Sequence, residues 1–569
     1  MKRFIITTIL IISAIITVIA GMAITRFVND KLPSFEYINK KELFKGINDD
    51  SIPIFLEDKI LDFESLAVDY EEEERIYLPL DLVLEHINPY YYWEEGEDTL
   101  IYTTLKDIVK MKVDSKNIYR NNQLIETSFP VVIKYKEDLH IAIDYLKQWE
   151  AIDYTYYLEH SRLFLEQTNK PHKFSVVKSE KDYIREEPSY KSLIITEVNN
   201  GDKVTVYDKS DDWFYVKTET GWLGYIPKKI LGNLFSKPAK YKDDNVLRKE
   251  YLPQEKVNLV WHQVTNRQAN KGLDGLLEDA EGIDVLSPTW FYIINSNGDI
   301  GSIADKDYVK KVHSQGYQVW ALIDDFNHLL SYEDLLQDSA KREYMIKQLI
   351  DYALELNLDG INIDFEKVKK EDGQAFVQFI RELAVNCYYN EIILSVDTYV
   401  PAPWTAHYGR EELGKVVDYI AIMAYDEHWA TSPESGSVAS VGFVEEGIIN
   451  TMKEVPKEKI LLGLPFYTRC WMEEEVNGEK KVSSRAYSMS YAEEILSDNN
   501  AEIIWDDNVG QYYGEYTNGD ILYRIWLEEE RSIEEKMKLF EKYDLAGVAG
   551  WKLSLEKENV WEVINKYVK

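Results

Sequence analysis

Between Leu358 and Glu366 the chain reads Leu358-Asp359-Gly360-Ile361-Asn362-Ile363-Asp364-Phe365-Glu366. As a β-strand this run could perform acid–base chemistry. Strand side chains alternate between two faces, so Asn362, Asp364 and Glu366 share one face and Ile361, Ile363 and Phe365 the other. Successive carboxylates on one face stand roughly 6–7 Å apart along the strand. In a low dielectric their repulsion pushes one pKa upward, and a carboxyl that keeps its proton near neutral pH is what a general acid requires. The alternative is a hydrogen-bonded polar ladder inside a barrel. That arrangement is costly, because three buried polar side chains must all find partners.

Such a strand needs a scaffold that turns its polar face toward a cavity. From Lys256 onward eight apolar runs alternate with helix-like stretches: Val257–Val264, Ile283–Ile293, Tyr317–Asp324, Gly360–Glu366, Ile392–Val400, Val417–Tyr425, Ile460–Tyr467 and Ala546–Ser554. Runs buried on both faces are what parallel strands need, and eight strand–helix units predict an α/β fold, a (β/α)8 barrel over residues 256–569. The interval Arg469 to Asp544 leaves room for an inserted subdomain before the last helix. In such barrels chemistry sits where strands end. The ends of these eight runs are therefore where functional side chains are expected.

Four segments precede the barrel. Phe4 to Thr25 is an uncharged apolar run following Lys2 and Arg3; about 22 residues at 1.5 Å each span a bilayer core. Residues 1–30 therefore read as an anchor with the rest of the chain outside the cell membrane, or as a cleaved signal segment ending near Gly21-Met22-Ala23. Residues 45–168 hold a weak repeat at an offset near 63: Ile76-Tyr77-Leu78-Pro79-Leu80-Asp81 returns as Leu139-His140-Ile141-Ala142-Ile143-Asp144, each copy fitting a strand, a short helix and a returning strand. Residues 173–235 read as short alternating strands, among them Lys203–Tyr207 and Trp213–Lys217, with turns at Asn199–Asp202 and Thr218–Gly221. Residues 236–255 form a polar linker.

The chain has 569 residues, with 65 basic and 100 acidic side chains and a net charge of −35. Without a basic cluster, that balance argues against nucleic acid as a partner. The two cysteines, Cys387 and Cys470, exclude a disulfide framework or a cysteine-rich zinc site. No metal spacing surrounds His428, and no cofactor is expected.

Asp359-Gly360-x-Asn362-x-Asp364-x-Glu366 resembles the Asp-Gly-x-Asp-x-Asp-x-Glu signature of glycoside hydrolase family 18, the chitinase-like barrels. Met423-Ala424-Tyr425-Asp426 resembles that family's Met-x-Tyr-Asp element, and Gly547-Val548-Ala549-Gly550-Trp551 its tryptophan-bearing last strand. Ser287-Pro288-Thr289-Trp290-Phe291 and Pro465-x-Tyr467-x-Arg469-x-Trp471 are similar to the spore-cortex and cell-wall glucosaminidase branch. The resemblance implies substrate-assisted cleavage at N-acetylglucosamine. Glu366 would be the acid and later the base, Asp364 would hold the acetamido N–H, and Tyr425 would hold its oxygen. Trp551 would stack beneath the sugar. Asp426 and Arg469 would contact the substrate, with a salt-bridge role as the alternative for Arg469. Met423, Asn362 and Trp290 complete the candidate substrate-binding set, with packing as the alternative for Met423 and rim filling for Trp290. Asn362 departs from the signature, which often has Asp there, and Asn can still hydrogen-bond Asp364.

Gly221-Trp222-Leu223-Gly224-Tyr225-Ile226 resembles a bacterial SH3-like domain, which commonly holds wall peptides. Trp213 and Trp222 either fill its core or meet ligand. The 45–168 repeat resembles the N-terminal module of copper amine oxidases, without a histidine cluster. Together these features imply a membrane-tethered hydrolase of peptidoglycan-type glycan. The alternatives are a chitinase and a non-catalytic carbohydrate-binding scaffold on the same barrel. Oligomeric state is open.

Overall fold

The computed structural model describes residues 13–22, 32–40, 52–70, 73–210, 212–240, 252–253, 255–278, 280–326, 331 and 335–569. Of the apolar run Phe4–Thr25, residues 13–22 are helical and the remainder lies outside the described residues, as does most of the 236–255 linker. Among the described residues no helix is long and apolar enough to cross a membrane.

The chain divides into two compact units. The first comprises residues 1–89, 111–117 and 126–246. Both repeat copies keep the expected order within the chain: strand Glu73–Pro79 runs into helix Leu80–His86 and strand Tyr91–Glu94, and strand Asp138–Ala142 runs into helix Ile143–Trp149 and strand Ile152–Tyr157. The SH3-like segment is a seven-stranded sheet that includes Lys203–Lys209, Trp213–Thr218 and Leu223–Pro227. Trp213 and Trp222 are both buried there, and the Arg162 guanidinium lies 3.9 Å from the Trp222 ring centroid. Trp222 also borders a cavity of about 270 Å³ that Arg162 and Phe164 line with it.

The second unit comprises residues 90–110, 118–125 and 247–569. The 45–168 segment is thus shared between the units, and the reason is a buried ion pair. Glu94 on strand Tyr91–Glu94 accepts from Arg342 at 2.9 Å, and Arg342 also binds Glu382 in bidentate fashion at 3.0 and 3.1 Å. All three side chains are almost wholly buried. Arg342 sits on helix α1 (Ser339–Leu356) and Glu382 on helix α2 (Gly373–Tyr389). A charge so desolvated must be paired where it lies, so the hairpin bearing Glu94 belongs with the helices.

The centre of this unit is an eight-stranded parallel barrel: β1 (Val257–His262), β2 (Val285–Ile293), β3 (Gln318–Asp324), β4 (Gly360–Asp364), β5 (Ile393–Tyr399), β6 (Tyr419–Met423), β7 (Ile460–Pro465) and β8 (Gly547–Trp551). Neighbours pair in sequence order, and β8 returns to β1. Two layers of apolar side chains result. Leu259, Trp261, Trp320, Leu322, Ile393 and Leu461 fill the interior, whereas Ile361, Ile363 and Phe365 pack outward with the helices. Close approach dictates two glycines. A Cβ on Gly360 would stand 2.7 Å from the Trp320 ring, and one on Gly463 would stand 2.4 Å from the Ile422 carbonyl and 3.1 Å from Tyr425.

Between β7 and the helix preceding β8 (Glu530–Tyr543) stands the inserted subdomain. It is a five-stranded antiparallel sheet ordered Glu479–Ser488, Tyr467–Val476, Ile521–Leu527, Gln511–Asn518 and Ile503–Asp506. Helix Met489–Asp498 covers it through Ala492 and Leu496, and Cys470 lies in their shared core.

Candidate active site

The strand ends of the barrel surround a cleft of about 1230 Å³. That exceeds the roughly 300–1,000 Å³ of ordinary small-molecule pockets and suits an oligomeric ligand. Asp364, Glu366, Asp397, Tyr399, Tyr425 and Trp551 are among its walls.

β4 ends at Asp364, and Glu366 stands just beyond it at the mouth. The turn carrying Glu366 is held by Asp325, which accepts the backbone N–H groups of Glu366 at 3.0 Å and Lys367 at 2.7 Å. Oε2 of Glu366 accepts a 2.6 Å hydrogen bond from the Tyr399 hydroxyl. Burial, reinforced by the Asp325 and Asp426 carboxylates, lifts the Glu366 pKa above its ordinary value, and the Tyr399 hydrogen bond opposes that rise.

Asp364 is 6% exposed, and its Oδ1 has no hydrogen-bond partner among the described residues. Burial, followed by repulsion from Asp397 and Glu366, pushes its pKa well above the carboxylate range. An acceptor left open in a cleft is poised for a donor that arrives with a ligand. Tyr425 lines the same wall, and burial holds its hydroxyl strongly in the neutral, donating form. Trp551 meets Trp261 edge-on with centroids 5.9 Å apart and leaves part of its surface in the cleft. Met423 also lines the cleft.

Asp426 adopts a left-handed backbone (φ 57°). Its Oδ1 accepts from the Tyr467 hydroxyl at 2.7 Å and from Arg469 at 3.3 Å. Arg469 therefore steadies Asp426 and is not among the cleft-lining residues.

Two other candidates move away from substrate. Asn362 is fully buried beneath the cleft with all its bonding capacity used. Its Oδ1 accepts from Trp261 (2.9 Å) and Ser287 (3.1 Å), and its Nδ2 donates to Ser395 (3.0 Å) and Asp397 (2.8 Å). Its carboxylate partner is thus Asp397 and not Asp364. Trp290 is fully buried in the outer core, donating to Asn270 at 2.7 Å. A register shift between Thr289 and Phe291 breaks the alternation of β2, so Thr289 and Tyr292 face the cleft instead. Asp359 anchors the base of β4, accepting from the Val319 N–H at 2.8 Å with His313 Nε2 also 2.8 Å away.

Sequence reasoning missed Asp325, Asp397 and Tyr399, together with the exposed rim tryptophans Trp404 and Trp429. One signal was present: Ser395, Asp397 and Tyr399 alternate along β5 as the polar residues of β4 do.

Comparison with known proteins adds the following. Residues 289–556 match the family described as glycosyl hydrolases family 18, and residues 180–231 match the bacterial SH3 domain. The chain is 26% identical over 297 residues to the glycosylase YvbX of Bacillus subtilis, covering 49% of this chain and 83% of that protein. It is 26% identical over 239 residues to the cortical fragment-lytic enzyme of the same organism, covering 41% of this chain and 54% of that protein. The solved spore cortex-lytic enzyme SleL of Bacillus cereus superposes with a TM-score of 0.51 at 18% identity, over 65% of this chain and 89% of that one. At that identity the likeness is one of fold.

Proposed function

The C-terminal barrel is a glycoside hydrolase domain of family 18, and from that premise we propose that the protein is an exported, membrane-tethered β-N-acetylglucosaminidase acting on peptidoglycan-type glycan. The observation that carries this reading is the open Oδ1 of buried Asp364 beside Glu366, in a cleft that Tyr425 and Trp551 also line.

In the proposed reaction Glu366 protonates the glycosidic oxygen as the bond to the anomeric carbon breaks. The substrate's own acetamido oxygen closes on that carbon, giving an oxazolinium ion in place of a covalent enzyme intermediate. Asp364 accepts the acetamido N–H and balances the positive charge, while the Tyr425 hydroxyl donates to the acetamido oxygen and keeps it in line. Glu366 then takes a proton from the water that opens the ring, so configuration is retained. Trp551 packs against the apolar face of the sugar. Each of these groups acts on charge that develops during the reaction, where fixed donors and acceptors contribute most.

The SH3-like domain supports a wall glycan over chitin, because such domains commonly hold wall peptides. The 45–168 repeat would serve as a spacer or binder, and the apolar run at Phe4–Thr25 as the tether. The full chain in detergent, incubated separately with peptidoglycan sacculi and with chitotetraose, tests the reading by release of new reducing ends. Wild type is expected to release them from sacculi, and Glu366→Gln to lose about 10³-fold or more of that rate. Release from chitotetraose alone would reassign the protein as a chitinase. No release from either, with Glu366→Gln indistinguishable, would make it a carbohydrate-binding scaffold.

A further inference from the structure

Asp364 ends β4 and Glu366 stands just beyond it, yet both carboxyl groups lean on β5. The register pairs Asn362 with Ser395 and Ile363 with Val396, so the next position sets Asp364 beside Asp397. Two residues further along the same face stands Tyr399, whose hydroxyl donates to Oε2 of Glu366 at 2.6 Å. Asp397 is 3% exposed and lines the cleft with Asp364. On its other side Asp397 Oδ1 accepts the Asn362 amide at 2.8 Å. An amide N–H can only donate, so this contact fixes Asp397 as an acceptor there.

Two carboxyl groups buried side by side cannot both carry charge at neutral pH. Their surroundings offer no relief. Besides Asp397, the charges acting on Asp364 are Glu366 just beyond β4 and Asp324 and Asp325 at the end of β3, all acidic. Asp397 feels Glu366 as well, and the hydrogen bond from the Asn362 amide opposes the effect of its burial. Around Glu366, among the described residues, stand Asp325, Asp426 and the cation Lys367, whose ammonium is turned to the Phe326 carbonyl. Tyr399, Tyr408 and Tyr425 are held neutral by burial.

We propose that β5 supplies each carboxyl of the pair with its own positioning partner: Tyr399 pins Oε2 of Glu366 so that Oε1 carries the transferable proton, and Asp397 holds one proton in common with Asp364. The buried Asp364–Asp397 pair then carries a single negative charge. That charge settles on Asp364 when the acetamido N–H arrives and the proton passes to Asp397. No atom is gained or lost; one proton moves between two neighbouring oxygens. This inference rests on the hydrolase reading, and it places part of the acid–base machinery outside the signature strand.

The two partners make opposite marks on the pH–rate profile, which a merely structural role would not do. The Tyr399 hydrogen bond favours ionised Glu366, so Tyr399→Phe raises the Glu366 pKa. The alkaline limb of kcat/KM, where Glu366 loses its working proton, is then expected to move up by about one pH unit. Asp397 disfavours ionised Asp364, so Asp397→Asn, which keeps an oxygen for the Asn362 amide, is expected to move the acid limb down by about one unit. Both profiles are measured on full-length protein with whichever of sacculi or chitotetraose the wild type cleaves. Of the protonated-carboxyl carbonyl bands in the infrared spectrum of ligand-free wild type at pH 7, one that persists in Glu366→Gln and is lost in Asp397→Asn gives a readout independent of turnover. If wild type cleaves glycan, Glu366→Gln does not, and both β5 variants keep wild-type limbs and the wild-type band, the β5 inference falls while the hydrolase reading stands. If wild type cleaves nothing, the reading itself falls.

Discussion

Replacing Asn362 with leucine removes four hydrogen bonds at once from the floor of the cleft while keeping the branched shape of the side chain. Ser395 loses only a donor to one of its lone pairs, and the Ser287 hydroxyl can turn to another acceptor, because a hydroxyl rotates freely. The Trp261 indole N–H and the Asp397 carboxyl cannot, since both are almost wholly buried. Stranding a buried polar group costs about 1–3 kcal/mol, so the pair sets an expected loss of about 4 kcal/mol. For a barrel of about 310 residues, an unfolding entropy near 2.1 cal/mol/K per residue gives about 0.65 kcal/mol/K. The expected shift is therefore about 6 °C in the barrel's melting transition, read by differential scanning calorimetry. The barrel transition must be resolved from that of the N-terminal unit, since a chain of this kind need not melt in one step. A shift smaller than about 2 °C would show that Trp261 and Asp397 find other partners, and the strut assigned to Asn362 would be wrong.

Arg342→Met strands Glu94 and Glu382 without their cation, and an expected loss of about 3–5 kcal/mol is checked by chemical denaturation. The further change of both glutamates to glutamine should recover most of that loss. His262 is buried beside the Tyr308 hydroxyl at 2.9 Å, and burial holds its pKa down to about 4. A folded-state value below the unfolded one of about 6.5 means that its contribution is complete above pH 6.5 and lost as pH falls toward 4. The loss amounts to about 3 kcal/mol. Melting temperature against pH should flatten over that window in His262→Gln, and an unchanged slope would assign the dependence to other groups.

Much of the site was legible because strand geometry has a period of two. Once β4 was recognised, the outward course of Ile361, Ile363 and Phe365 and the inward course of Asn362 and Asp364 followed. The eight strands were legible for a related reason: runs buried on both faces have few other uses. Trp290 was misplaced because the irregularity in β2 lies in backbone register, which leaves no mark on composition. For Arg469 the sequence leaves substrate contact and a salt bridge open, and its 3.3 Å contact with Asp426 favours the salt bridge. Asp325, Asp397 and Tyr399 went unnoticed because their partners lie about 30–40 residues away in the chain and meet them only when neighbouring strands align. The tie between Glu94 and Arg342 is invisible in sequence for the same cause on a larger scale, since it joins residues 248 positions apart.

That tie has a practical corollary for anyone dissecting the molecule. Clipping the polypeptide in the polar stretch near residue 245 would sever covalent continuity without yielding a self-sufficient catalytic fragment, because a piece of the amino-terminal half is built into the wall behind α1 and α2. Expression trials that begin at residue 256 would leave Arg342 facing a gap where Glu94 belongs. Trials that begin before residue 90 would retain it.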